Sequence, residues 1–284
     1  MSANLHPFAA LLASGESRID LARACLMIAE DTYPGISIER YLGDLERLAL
    51  RLRGRMPQTL RAEERVIALN QFLFDDLGYW GNTDDYYDPR NSYLNEVLDR
   101  KTGIPITLAI LYMEVGRRVG LPLEGVSFPG HFLVRLRVRG GTLILDPFSG
   151  GMPQSEDELR ARLERVIPEG AAAELPVADL PLEQFLEPAT NRQILARLLR
   201  NLKGIYREAG KPERMLEVLN RMLLVAPEAS AELRDRGFLY QRLECWRPAL
   251  QDLKDYVGRE PGAPDAEEVR AKLAELTTLC ARLN

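Results

Sequence analysis

The chain has 284 residues, 46% of them hydrophobic and 28% charged, with a formal net charge of −5. That composition suits a globular protein of one or two domains with a sizeable core, and the acidic balance excludes a global basic field for nucleic acid or anionic membrane. No apolar run approaches the roughly 20 residues of a bilayer span, and three scattered cysteines argue for a reducing compartment rather than a disulfide framework. The opening MSANLHPFAALLASGES has no basic n-region, so the expectation is a cytoplasmic protein.

The first predicted helix covers residues 16 to 32, with Leu21, Ala24, Cys25 and Ile28 on one stripe and Pro34-Gly35 ending it. Cys25 sits mid-helix, outside the setting that activates a thiol, and reads as core. Ser37 is placed to cap a second helix, although Arg40 stands where a capping-box acid would. A third follows Pro57, with Val66, Leu69, Phe72 and Leu73 at helical spacing.

Residues 78 to 91 are rich in Gly, Asn, Asp and Pro and read as a loop, with Ser92 as the cap of a helix over SYLNEVLDRK. Asp84, Asp85 and Asp88 offer oxygen ligands, but their spacing does not match an EF-hand, so a solvated acidic loop is the better reading. Tyr86, Tyr87 and Tyr93 make this segment aromatic as well, which suits a lid or a contact surface.

From Thr102 to Gly151 the pattern is a helix entered at Pro105 and left at Gly120, a strand carrying His131, a glycine turn, and a strand ending in Asp146. Two registers are open. A two-residue turn at Gly140-Gly141 sets Asp146 opposite Arg135 and leaves His131 about 13 Å away along the strand. A loop from Val138 to Gly141 sets Asp146 opposite Leu133, with His131 as its diagonal neighbour about 7–8 Å off, within side-chain reach.

This order resembles the core of the transglutaminase-like (papain-like) fold, in which a Cys at a helix N-terminus precedes a His and an Asp on successive strands. His131 and Asp146 match the family's His and Asp, and the resemblance requires the second register. The family's G-x-C-x-x-x-A falls on Gly103-Ile104-Pro105-Ile106-Thr107-Leu108-Ala109, so Pro105 stands where the cysteine belongs. Proline offers neither an attacking atom nor the backbone N–H that helps hold an oxyanion, and loss of one such donor alone costs about 10²–10³ in rate. Thr107 lies two residues on, turned by about 200° around the helix, and suits a first-turn cap better than a nucleophile.

Further on, Ser155 to Glu158 forms a capping box, and prolines at 168, 176, 181 and 188 mark a linker. Leu199, Tyr206, Met215, Leu219 and Pro227 recur about 34 residues later as Leu233, Tyr240, Ala249, Leu253 and Pro261, the tetratricopeptide period. Gly237, Tyr240 and Ala249 occupy its small and aromatic positions, whereas Lys203 replaces the glycine of the first copy. Cys245, beside Trp246, and Cys280 read as packing residues of these helices. Nearly the whole chain is similar to the bacterial SirB-type invasion-regulator proteins, a resemblance that implies a regulatory label without a defined chemistry.

The expectation is therefore α+β: helices and a transglutaminase-like core over 1–167, a linker over 168–191, and repeats over 192–284. The preferred function is a non-catalytic protein-binding or regulatory module that meets a protein or peptide through its cleft and its helical repeats, with no nucleic acid, membrane or cofactor. The alternative is a hydrolase or acyltransferase using Thr107 with His131 and Asp146. A metal on His131 is disfavoured, because His6 is the only other histidine.

Overall fold

The structure, a computed structural model, describes residues 5–57, 59–166 and 180–282. Residues 13–198 form one compact unit; the chain up to Leu12 together with 199–284 forms a second.

The first unit is built around a helix that has no wet face. After α1 (Leu5–Ala13), α2 (Leu21–Glu30), α3 (Ile38–Arg53), α4 (Ala62–Asn70) and α5 (Leu94–Arg100), helix α6 runs from Pro105 to Arg118 and buries every residue from Pro105 to Gly116. An apolar sequence on all sides of a helix demands neighbours on all sides, and α6 has α2, α3 and α5 against it as well as the sheet. Pro105 occupies N1, where its missing N–H costs nothing. At the other end Gly120 (φ +81°) donates to the Arg117 carbonyl and Leu121 to that of Gly116, a Schellman closure available to glycine.

The main sheet is antiparallel, in the order β3 (Glu124–Val126), β4 (Leu133–Val138), β5 (Gly141–Asp146), β6 (Met152–Pro153). Val138 pairs with Gly141 and Val134 with Leu145, so the turn is Arg139-Gly140 and the ladder extends to set Asp146 opposite Leu133. The two-residue turn at Gly140-Gly141, with Asp146 opposite Arg135, does not occur. Arg135 instead binds Glu124 across β3 (2.8 Å) and the Leu186 carbonyl (3.0 Å). A second, two-stranded parallel pair joins β1 (Trp80–Gly81) to β2 (Thr102–Gly103). Helix α7 (Glu156–Val166) opens on the expected capping box: the Ser155 N–H donates to the Glu158 carboxylate, and the Glu158 N–H donates back to Ser155 Oγ.

Several boundaries differ from expectation. Residues 16–18 are a 3₁₀ turn, and α2 starts only at Leu21 because the Asp20 carboxylate accepts the Arg23 N–H. Ser92 does not cap α5. It ends a 3₁₀ turn (Pro89–Ser92) that Asp88 caps through the Arg90 N–H, so Tyr93 becomes the residue before the helix. After α4 the chain widens into a π-helical turn, Gln71–Asp76. His131 precedes β4 rather than lying in it, held by a turn in which its N–H donates to the Phe128 carbonyl.

Of the expected linker, residues 168–179 lie outside the described residues. The part beyond is packed rather than extended. Leu182 joins Val126, Phe128, Leu133 and Leu163 in a common core, and the Ala189 N–H donates to the Gly125 carbonyl (2.8 Å).

The second unit comprises α1, most of α8 (Asn191–Glu208), and α9 (Pro212–Val225), α10 (Ser230–Arg242), α11 (Trp246–Arg259) and α12 (Ala266–Arg282). Gly237 brings α10 against α11, since a Cβ there would meet Leu253 Cδ2 at 2.7 Å. Lys203 does not mimic a glycine; its ammonium pairs with Glu232 and Asp235. Cys280 is buried, but Cys245 is exposed, because it stands at the start of α11 after the left-handed Glu244 rather than within a helix.

Candidate functional site

The Asp146 side chain is wholly buried and is the hub of the site. Its Oδ1 accepts from His131 Nε2 at 2.9 Å and from the Phe148 N–H at 3.1 Å; its Oδ2 accepts from Ser149 Oγ at 3.0 Å and Arg162 Nη2 at 2.8 Å. The local sequence explains the geometry. Asp-Pro closes β5 into a 3₁₀ turn (Pro147–Ser149), the aspartate capping that turn, and Gly150 and Gly151 at φ +72° and +73° return the chain to β6. Asn70 braces the return: it donates to the Gly151 carbonyl (2.8 Å) and accepts from the Tyr112 hydroxyl (2.7 Å).

Burial pushes the Asp146 carboxyl upward, but the hydrogen bond and charge of His131, then Arg162 and Ser149, outweigh it and hold the group below the ordinary aspartate value. An ionised aspartate only accepts, so the proton on this contact belongs to His131 Nε2. The imidazole side chain is 12% exposed, with the Phe148 ring edge-on at a centroid distance of 6.0 Å.

The sequence pairs His131 with Asp146, and they touch. Pro105 lies at N1 of α6, and this helix packs on the Pro147–Ser149 turn. Thr107 is not brought to the pair. Its hydroxyl donates to the Asn91 carbonyl (2.7 Å) and accepts the Ile104 N–H (3.1 Å), with no exposed surface. It makes no bond to His131 among the described residues. Cys25 is likewise buried, and desolvation pushes its thiol up.

The sequence profile of the transglutaminase-like superfamily matches residues 39–200, and a tetratricopeptide-repeat profile matches 202–274. A UPF0162 protein of Xylella fastidiosa is 42% identical over 92% of both chains. Protein SirB1 of Salmonella typhimurium is 31% identical over 81% of this chain and 82% of its own length. The chain belongs to the SirB1/UPF0162 family. A UPF0162 protein of Vibrio cholerae, 32% identical over 75% of this chain, extends the likeness. For a SirB1/UPF0162 protein the tetratricopeptide segment suggests protein–protein interaction. No helix among the described residues is long and apolar enough to cross a membrane.

Sequence reasoning missed four residues of the site. Arg162 sits 16 positions from Asp146 on a separate amphipathic helix, and nothing local marks it. Ser149 and Phe148 were legible only as part of the Asp-Pro turn. Asn91, fully buried, donates from its side chain to the carbonyls of Asp85 (2.8 Å) and Tyr86 (3.3 Å) while accepting from Asn82 (3.2 Å). It thereby fixes the aromatic loop. Tyr86 then meets Phe148 edge-on at 6.3 Å, and Tyr87 meets Tyr86 at 5.3 Å. Gly81 backs the arrangement, since a Cβ there would strike the Phe148 ring at 2.5 Å. Of the acidic trio, Asp88 is turned inward onto Arg90 and Arg100, while Asp84 and Asp85 are exposed.

Proposed function

We propose that this protein is a non-catalytic binding module with a regulatory role, and that the His131–Asp146 pair is the polar floor of a cleft for a partner polypeptide. The observation that carries the reading is Pro105 at N1 of α6: the position of the family's attacking cysteine holds a residue with no nucleophilic atom and no N–H. The hydroxyl alternative is weakened by Thr107 itself, whose one proton is committed to the Asn91 carbonyl and whose oxygen caps the helix start. The pair is kept in working geometry without the group it would activate. Two exposed apolar side chains stand near it, Met152 (59% exposed) across from Asp146 and Val166 (46%) beside Gly130. Exposed apolar surface at a polar centre is a recognition feature. The tetratricopeptide segment supports the same reading, since such repeats suggest protein–protein interaction.

The test is turnover. Activated esters and a glutamine-peptide transamidation assay, run with wild type and His131→Ala, should show no His131-dependent rate. Pro105→Cys alone should remain nearly inert. A rate that falls at least 100-fold on His131→Ala in the unmodified protein would overturn the reading.

A further inference from the structure

The loop Asp84-Asp85-Tyr86-Tyr87 is the least economical feature of this surface. Tyr86 is 38% exposed and Tyr87 76% exposed, and Trp80, next to Gly81, is 49% exposed. Large aromatics left in water on a mobile loop would be unremarkable, but this loop is tied down. The Asn91 side chain holds two of its carbonyls, Asn82 Oδ1 accepts the Asp85 N–H (3.0 Å), and the Asn91 carbonyl is itself anchored on Thr107 at the start of α6. Rigid exposed tyrosines bind at low entropic cost, which is why such residues dominate binding hot spots.

Charge says what would bind. The side chains of Asp84 and Asp85 enter no ion pair among the described residues, whereas Arg90, Arg100 and Arg162 are each engaged by a carboxylate. Arg90 and Arg100 lie on Asp88 (2.7 and 3.5 Å), Arg162 on Asp146 and Gln154, and Arg197 on Ser127 Oγ and the His131 carbonyl. The unpaired charge carried by the loop itself, on Asp84 and Asp85, is therefore negative. Tyrosine faces attract cations through the ring quadrupole, and carboxylates nearby add to that attraction.

We propose that the Asp84–Tyr87 loop is a docking surface for a lysine- or arginine-bearing segment of a partner protein, its cation held by the tyrosine rings and the two free aspartates. The proposal rests on the binding-module reading and adds the chemistry of the partner. It gives Asn91 a role as the residue that positions the loop.

The experiment is a random nonapeptide array probed with the full-length protein, followed by solution titration of the strongest binders. Lys and Arg should be enriched among binders, and affinity should fall as salt rises from about 50 to about 500 mM. The double variant Asp84→Asn/Asp85→Asn should lose about ten-fold, and Tyr87→Ala about two- to five-fold. Both sets of side chains are exposed, so unchanged circular dichroism and midpoint should accompany these losses. Enrichment of apolar or acidic peptides, with binding lost in Phe148→Ala but not in the aspartate variant, would overturn this inference and leave the cleft reading standing. Basic peptides that bind all variants equally would overturn it too. No binding by any peptide would sink both.

Discussion

Asp146→Asn is the sharpest test of how the site is held. The substitution keeps shape and removes charge. In the wild type each carboxylate oxygen accepts two hydrogen bonds, Oδ1 from His131 and the Phe148 N–H, Oδ2 from Ser149 and Arg162. An asparagine keeps one oxygen. Turned to serve His131 and Phe148, it sets its NH₂ against Arg162, which has only donors. Ser149 can rotate to accept; Arg162 cannot. The loss is thus one charge-assisted bond, worth about 1.5–3 kcal/mol, plus the weakening of the bond from His131. Arg162 is 25% exposed and keeps part of its hydration, so the total should fall near or below the 3–5 kcal/mol typical of a broken buried pair, at about 2–4 kcal/mol. The pH dependence has a definite sign. The Asp146 carboxyl titrates below its ordinary value in the folded state, so its contribution is fully present above the unfolded pKa of about 3.9 and is lost as pH falls through the folded value. Urea unfolding of both proteins between about pH 7 and pH 3 should show a gap that narrows as the pH falls below about 3.9. A gap below about 0.5 kcal/mol at neutral pH, or one that persists undiminished in acid, would refute the account.

Gly81→Ala should drive the Phe148 ring off its seat, costing about 1–3 kcal/mol and moving the His131 ring resonances; unchanged His131 resonances would show that Phe148 does not set the cleft wall. Thr107→Val should cost about 2–3 kcal/mol, because the buried Asn91 carbonyl and Ile104 N–H each lose a partner, and a loss below about 0.5 kcal/mol would mean that the hydroxyl is not committed. Native alkylation should modify Cys245 first and Cys25 only on unfolding; rapid labelling of Cys25 would contradict its burial.

Much of this architecture was legible from local pattern. The all-apolar run after Pro105, the Schellman glycine at 120, the capping box at Ser155 and the recurrence from Leu199 to Pro261 are each written in a few neighbouring residues, because capping, turn formation and helical repetition are short-range chemistry. The pairing of His131 with Asp146 was different. Local turn preference favoured Gly140-Gly141, and because the two registers differ by two residues every side chain keeps its face in both, so hydrophobic alternation could not choose between them; the family resemblance pointed to the one in which the aspartate meets the histidine, with the turn at Arg139-Gly140. Nothing in the sequence announces Arg162, 16 positions away on another helix, or that Asn91 ties the aromatic loop to the start of α6. Those assignments belong to the tertiary structure for one physical reason. A buried polar atom must find its partner wherever packing brings one, and packing obeys no fixed spacing along the chain.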